Sequence, residues 1–467
     1  MSDRPDPAIF YAQELLRRCD LDWKPTPRAH PRSAPLAWAC SGAMALTGSP
    51  DGPPEFAAGA LATAAEGTAL ALQALAPGRN LGRIDAPALF GERAAIEKFV
   101  RHGSVSVGGS AQLLSTSETQ LVFNLPRDED WMMIPALLEV SCQEFAANHD
   151  WSMLARLLAE RDSAEILERG RLMGLAIADV NEASSDPGTL FTLHRATETR
   201  APTTAGTTMT TATATTATGR KIRLLDLSSL WAGPLATSLL AMVGIEVLKV
   251  ESPIRPDGAR AGPRPFFDLL NGNKRGCALD LYQSADRALF DQLLESADVV
   301  VESARPRALA QLGFDASTWV DDKPGRIWAS ITGYGRNRDW IAFGDDAAMA
   351  AGLGWSPGEA RSAPRFCGDA IADPLAGLHA AVLILAHLKK GRGGLLDLSL
   401  VDIAAYAAAL PVESLVLPIE NSPKGWCVLE EGQRRLIEPP RSRAVHASAP
   451  TLAAANEGLI RDWTNPC

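Results

Sequence analysis

Four carboxylates in one stretch of this chain have the spacing to do chemistry: Asp345, Asp346, Asp369 and Asp373. Asp373 opens a long apolar run, Ile371 to Leu388, that reads as a helix. Unpaired N–H groups at a helix start favour an anion and can orient it. A carboxylate held there can attack an electrophilic carbonyl, which splits one difficult transfer into easier steps through an acyl-enzyme. The same residues also fit an ordinary helix cap with Pro374 at the first helical position, and the two roles are compatible. Asp369 is the rival carboxylate, with a loop or turn residue as its plain reading. Asp345 and Asp346 open a shorter helix-like run before Gly352.

Other chemistries find less support. His379 and His387 lie on the same apolar helix without the H-x-x-x-H spacing of a metal pair, and read as packed residues. No G-x-S-x-G is present. The seven cysteines, at 19, 40, 142, 277, 367, 427 and 467, include no C-x-x-C pair and read as reduced thiols. A net charge of −10 argues against non-specific nucleic-acid binding. The polar start MSDRPDPAIFYAQ is not a secretory signal, and the most apolar window, about 377–388, is too short to span a bilayer. The expectation is a soluble cytoplasmic protein.

The elements that must position these acids begin at Lys221. Ile222 to Leu227 is strand-like; a turn with Gly233-Pro234 and a helix-length run to Met242 follow; Ile245 to Val250 is a second strand ending on Glu251. Strand, turn, helix and strand in this order make a βαβ unit and imply a parallel sheet. The turn lacks G-x-G-x-x-G, so it is not the dinucleotide fingerprint. Further strands are expected at 298–302, 326–331 and 395–399, with helices at 284–296, 371–388 and from Val401. The class is therefore α/β, with an open, mostly parallel, Rossmann-like sheet whose ligands sit beyond the carboxyl ends of the strands. Residues 199–220, rich in Thr and Ala, read as a flexible linker. They divide the chain into 1–198 and 221–467.

In the first half, 104–126 alternates like a hairpin-bearing sheet, and 150–182 reads as two helices leading to a short strand. Residues 38–75 also parallel 346–388. With Gly67 set against Gly377, Ala62 falls on Ala372 and Thr63 on Asp373. This is either a weak internal repeat or a chance match of two Ala-rich helices.

AGPLATSLLAMVGIEVLKVESP (232–253), NGNKRGCALDL (271–281), ADVVVESARPRALAQLGF (297–314), the 330–335 strand end, ADPLAGLHAAVLILAHL (372–388) and LLDLSLVDIAA (395–405) stand in a familiar order. Together they resemble the family III CoA-transferases, the CaiB/BaiF group that includes formyl-CoA transferase, carnitine CoA-transferase and α-methylacyl-CoA racemase. The resemblance implies a large α/β domain with a smaller α+β domain, a homodimer of interlocked rings, and exchange of CoA between acyl-CoA thioesters and carboxylic acids. It implies no permanently bound cofactor, coenzyme A thioester being the substrate. It places the nucleophile at Asp373, a supporting acid at Asp346, and CoA contacts at Trp231, Ala232, Gly233, Leu279, Tyr282, Ser303, Ala304 and Gln311. Lys274 and Arg275 can supply charge near the ligand phosphates.

The chain departs from the family in several places. Ser252 and Gln311 stand where basic residues are common, and Asp345 stands where the racemase branch has a histidine. The small-domain slot after residue 417 is nearly empty, while small-domain-like sequence (about 88–185) lies ahead of the linker. A permuted gene or a trimmed tandem duplication would each produce this layout, and the Thr63/Asp373 pairing favours duplication. A non-catalytic relative that binds an acyl-CoA or a partner subunit is the alternative reading.

Overall fold

Local capping chemistry sets the first helices. Helix α1 (Pro7–Arg17) starts on Asp6, whose side chain accepts the Ala8 N–H, with Pro7 in the first turn. Helix α2 (Ala34–Ala39) starts in the same way on Ser33. Helix α3 (Leu61–Leu75) is Ala-rich and buried along most of its length, which permits close packing. The computed structural model describes the chain except residues 1–5, 79–83, 142–148, 181, 183–188, 199–207, 210–213, 216–219, 306, 358–362, 453–455 and 465–467.

A small antiparallel sheet follows, in the order β1 (Ala111–Ser115), β2 (Gln120–Asn124), β3 (Ala176–Asp179). Successive side chains of a strand face opposite ways, and both faces here are used. Leu121, Phe123 and Ile177 pack with Ile134, Leu154 and Ile166 from the covering helices. Val122 and Ala178 pack instead on Met349, Ala350 and Phe366 from the second half of the chain.

The large sheet has seven strands. Strand β4 (Thr192–Glu198) forms one edge; β5 (Arg223–Leu227), β6 (Glu246–Glu251), β7 (Arg275–Ala278), β8 (Val299–Glu302), β9 (Ile327–Thr332) and β10 (Arg392–Ser399) are mutually parallel. Their order is β7-β6-β5-β8-β9-β10, with β4 antiparallel to β10. Counted from β5, this is the doubly wound order 3-2-1-4-5-6, whose topological switch point lies between the first and fourth strands. In this chain that is the gap between the carboxyl ends of β5 and β8, where Leu227 pairs with Glu302. The strands are near-continuous apolar runs because helices cover both faces. One face carries α4 (Ala232–Met242) and α6 (Ala372–Lys390), with the shorter α5 (Gly344–Ala350) at its rim. Helices Ser284–Ser296 and Ala316–Asp322 cover the other.

The strand and helix bounds of the second half differ from the sequence expectations by at most three residues. Packing also crosses residue 198. Helices α1 to α3 bury Tyr11, Leu15, Leu16, Leu61 and Leu72 in the same core as α4 and α6, and β4 is a strand of the large sheet. The segment around β1–β3 forms a small layer with its own apolar core, and a further three-stranded antiparallel sheet lies at Ile419–Ser422, Gly425–Glu430 and Gln433–Leu436. An apolar helix joins the largest apolar face within reach, and composition does not reveal which face that is. The 199–220 tract lies almost wholly outside the described residues; within it Thr208–Met209 pairs with Ala214–Thr215. Among the described residues, no helix is long and apolar enough to cross a membrane.

Candidate active site

The four acids come together because α5 and α6 start side by side. Asp345 and Asp346 stand in the first turn of α5, Asp373 in the first turn of α6, and Asp369 in the turn before it. That turn is sharp: Gly368 and Ala370 have φ of +68° and +42°, and a left-handed alanine is a strained one. Hydrogen bonds hold it, from the Ala370 N–H to Asp345 Oδ1 (2.9 Å) and from the Asp373 N–H to Ala370 O (2.9 Å). Gly344 makes the approach possible. A Cβ there would lie 2.6 Å from Asp373 Oδ2 and would also strike Ala370 O.

The acids then differ in environment. Asp369 is fully buried and gripped by Arg93, whose Nε and Nη2 donate to its carboxylate. Arg93 belongs to helix Glu92–Glu97, and its guanidinium also lies over the Trp231 ring at 5.4 Å. Asp346 is fully buried; its Oδ1 accepts the Asn124 side-chain amide (2.7 Å) and the Phe343 N–H (3.0 Å), while Oδ2 has no partner among the described residues. Asp373 is partly open, and among the described residues its carboxyl has no hydrogen-bond or ion-pair partner.

Burial is the main cause that pushes Asp373 up to about 7; Arg93 opposes it, and Asp345, Asp346 and Asp369 reinforce it. Burial likewise raises Asp346 to about 7, against the Asn124 and Phe343 hydrogen bonds, and Asp345 to about 6, against Arg93. One guanidinium thus serves several carboxylates, so the least restrained of them exchanges its proton near neutral pH.

The Asp373 helix touches the first βαβ turn directly. At Gly377, one turn along α6, a Cβ would lie 2.6 Å from Ala232 O, so the glycine lets α4 start against α6. Gly233 has the same function toward Ser228, whose side chain occupies the space of a Cβ. The turn itself is tied down from several sides. Leu230, at φ +68°, donates its N–H to Asp257 Oδ1 (2.9 Å), and Ser229 donates its N–H to Ser303 Oγ (3.0 Å). Lys249 Nζ reaches Ser228 O (2.7 Å) and Asp257 Oδ2 (2.9 Å). Trp231 is buried against Phe266, and its Nε1 has no partner among the described residues.

The structure therefore brings together Asp373, Asp346, Trp231, Ala232 and Gly233 near one end of α4 and α6, with Ser303 tied to the same turn. Ala304 follows Ser303 beyond β8 and is partly exposed, as a crevice residue would be. Tyr282 and Gln311 are exposed at the surface, while Leu279 is buried in the core on the other face of the sheet. The two basic candidates depart from expectation. Lys274 is buried, and its three donors go to Asp226 Oδ2 (2.9 Å), Pro234 O (2.9 Å) and Asn271 Oδ1 (2.8 Å), which leaves none for a phosphate. Arg275 sits at the amino end of β7, paired with Glu246 at the start of β6, away from the carboxyl ends where ligands of such sheets bind. Lys274 turns inward just before β7 while Arg275 opens the strand toward Glu246, so the two do not act as a pair.

Sequence reasoning missed Arg93 and Asn124, because only tertiary packing brings them to the acids. Gly344, next to Asp345-Asp346, carried a signal: a glycine at a helix start leaves room for another backbone. A Cβ on Gly108 would stand 3.5 Å from Arg93 Nη2. The two histidines are packed as expected, His379 between Leu375 O and the Tyr11 hydroxyl (both 2.7 Å), His387 against Leu383 O (2.8 Å). A polar cavity of about 240 Å³ lined by Tyr334, Arg338, Asp397 and Asp402 shares none of the acidic cluster.

Residues 220–417 match the model of CoA-transferase family III. They are a domain of that family. The CoA-transferase domain is similar to succinate–glutarate CoA-transferase of Agrobacterium fabrum, with 31% identity over 40% of this chain and 52% of that protein. It is also similar to formyl-CoA:oxalate CoA-transferase of Escherichia coli, with 29% identity over 39% of this chain and 47% of the other. An acyl-CoA transferase of Fusarium pseudograminearum is 32% identical over 39% and 44%. This chain therefore spans about half the length of the curated relatives it matches. Among solved structures, a CAIB/BAIF family protein from Brucella suis aligns with a TM-score of 0.39 and 24% identity, over 44% of this chain and 64% of that one.

Proposed function

We propose that this protein exchanges CoA between an acyl-CoA thioester and a carboxylic acid, with Asp373 as the nucleophile. One observation carries the reading: Asp373 is a partly open carboxylate with no partner among the described residues, at a helix start beside the first βαβ turn, while Asp369 is consumed by Arg93. In this account an Asp373 oxygen attacks the thioester carbonyl carbon, the C–S bond breaks, and CoA leaves as thiolate, giving a mixed anhydride. The thiolate attacks the aspartyl carbonyl and releases the first acid, which leaves an aspartyl-CoA thioester. An incoming carboxylate attacks that thioester, forms a new anhydride and frees the thiolate again. Attack of the thiolate on the new acyl carbon yields the new acyl-CoA and restores Asp373. No redox cofactor takes part, because each step only moves an acyl group.

Surrounding groups divide the work. The positive end of the α6 dipole offsets part of the charge that develops on the aspartyl oxygen. Arg93 fixes Asp369 and with it the turn that aims Asp373. Asp346, held by Asn124, contributes to the environment that keeps Asp373 near neutrality. CoA would lie across the switch point, near Trp231, Ala232, Gly233, Ser303 and Ala304, with Tyr282 and Gln311 at its rim. The test is hydroxylamine trapping: intact mass after incubation with an acyl-CoA and hydroxylamine should show one aspartyl hydroxamate mapping to Asp373. An unmodified chain that still binds acyl-CoA would support the non-catalytic reading, which the engagement of Lys274 in an internal ion network favours.

A further inference from the structure

The helix pair that carries Asp373 occurs twice in this chain. In the first occurrence α1 crosses α3, and in the second α4 crosses α6. Each crossing is built around one glycine. At Gly67 a Cβ would lie 2.6 Å from Ala8 O and 2.8 Å from Tyr11 Cβ; at Gly377 it would lie 2.6 Å from Ala232 O and 3.1 Å from Leu235 Cβ. The same atoms of corresponding residues make the contact, an alanine carbonyl and the Cβ three residues later. The crossing helices also bury the same positions: Tyr11, Ala12, Leu15 and Leu16 in α1, Leu235, Ala236, Leu239 and Leu240 in α4. Upstream, in the register set by Gly67 and Gly377, the N-cap of α2 (Ser33) falls on that of α5 (Phe343). Gly42 falls on Gly352, with φ of +84° and +83°. Two Ala-rich helices that matched by chance would not share a crossing glycine, its contact atoms and a left-handed glycine after the preceding helix.

The chemistry has gone from the first occurrence. Pro35, Leu36, Gly59 and Thr63 stand at the positions of Asp345, Asp346, Asp369 and Asp373. Thr63 is fully buried, its hydroxyl without a partner among the described residues, and a Cβ on Gly59 would overlap the backbone of Ala408. The two pairs lie against each other: His379 on α6 bonds Tyr11 of α1 (2.7 Å) and contacts Thr68 Oγ1 of α3 (3.3 Å). Two copies of one surface packed face to face is the arrangement that a two-fold dimer makes between separate chains. The acidic site is also complete within one chain, since Arg93 and Asn124 come from the first half.

We infer that residues 7–75 are a degenerate second copy of the Asp373-bearing helices, folded against them in place of a second subunit, so that one chain forms an internal pseudo-dimer with a single reactive carboxylate. This pairing replaces the homodimer that the family resemblance implies. The helix repeat would also account for the layout of the chain as a trimmed duplication.

Native mass by light scattering tests it, together with acyl-exchange activity on dilution. The inference predicts the mass of one chain across micromolar concentrations and an activity per chain that is unchanged by dilution or by excess Asp373→Asn protein. A two-chain mass, or activity lost on dilution, would overturn it. The mass measurement does not depend on turnover, so a protein that proved inactive but ran as a single chain would refute the proposed function and leave this inference standing.

Discussion

Asp373 Oδ2 and the α-carbon of Gly344 are in such close contact that no side chain fits between them: a Cβ on Gly344 would lie 2.6 Å from that oxygen. The start of α5 therefore aims the carboxylate at the start of α6. Gly344→Ala should displace Asp373 and the Ala370 carbonyl together, lowering exchange at least tenfold and costing about 1–3 kcal/mol of stability. Steady-state kinetics beside urea unfolding would check this; full activity in the variant would show that the contact does not position the nucleophile.

Arg93→Met should leave Asp369 buried without its cation. Loss of one partner of a buried pair typically costs about 3 kcal/mol or more, and the Arg93→Met/Asp369→Leu double variant should recover much of it. Arg93 is also the neighbour that lowers the Asp373 pKa, so the acid limb of the pH–rate profile should move to higher pH in any Arg93 variant that folds.

Wild-type exchange should fall as pH drops through about 7, where Asp373 takes up its proton. The stability effect has the opposite sense. Asp346 is raised from 3.8 to about 7 in the folded chain, so the folded state retains a proton that the unfolded chain has released. Its contribution to stability is present below about pH 4 and is lost as pH rises toward 7. Asp346→Asn, which can still accept the Asn124 and Phe343 hydrogen bonds, should gain stability relative to wild type as pH rises through that window. A flat difference between the two unfolding curves would contradict the raised value.

Lys274→Met should weaken the fold more than ligand binding. Asp226 would lose its nearest cation inside the core, at a cost of about 3 kcal/mol, whereas CoA affinity of the folded fraction should change less than threefold. A selective loss of CoA affinity in a stable variant would return Lys274 to the ligand.

Much of the large domain was legible in the sequence because its strands are buried on both faces and alternate with helices, a pattern that survives without tertiary knowledge. The place of Asp373 in the first turn of α6 was legible for a local reason: an acid followed by Pro374 at the head of an apolar run. The roles of Lys274 and Arg275 were not, since a lysine in a loop before a strand looks the same whether it reaches solvent or turns inward to Asp226. Arg93 and Asn124 gave no signal because they meet the acids only after the two halves have packed. The repeat was visible as Gly67 against Gly377, but only the crossings with Ala8 and Ala232 give those glycines a physical reason.

The most direct test of the central claim is transfer of labelled CoA into an unlabelled acyl-CoA by Asp373→Asn beside the wild-type protein. The amide keeps the shape of the carboxylate but is a far poorer nucleophile. The account predicts an unchanged unfolding profile at low pH and exchange reduced by at least a thousandfold, with no hydroxamate formed. Exchange at the wild-type rate in a folded Asp373→Asn protein would contradict it.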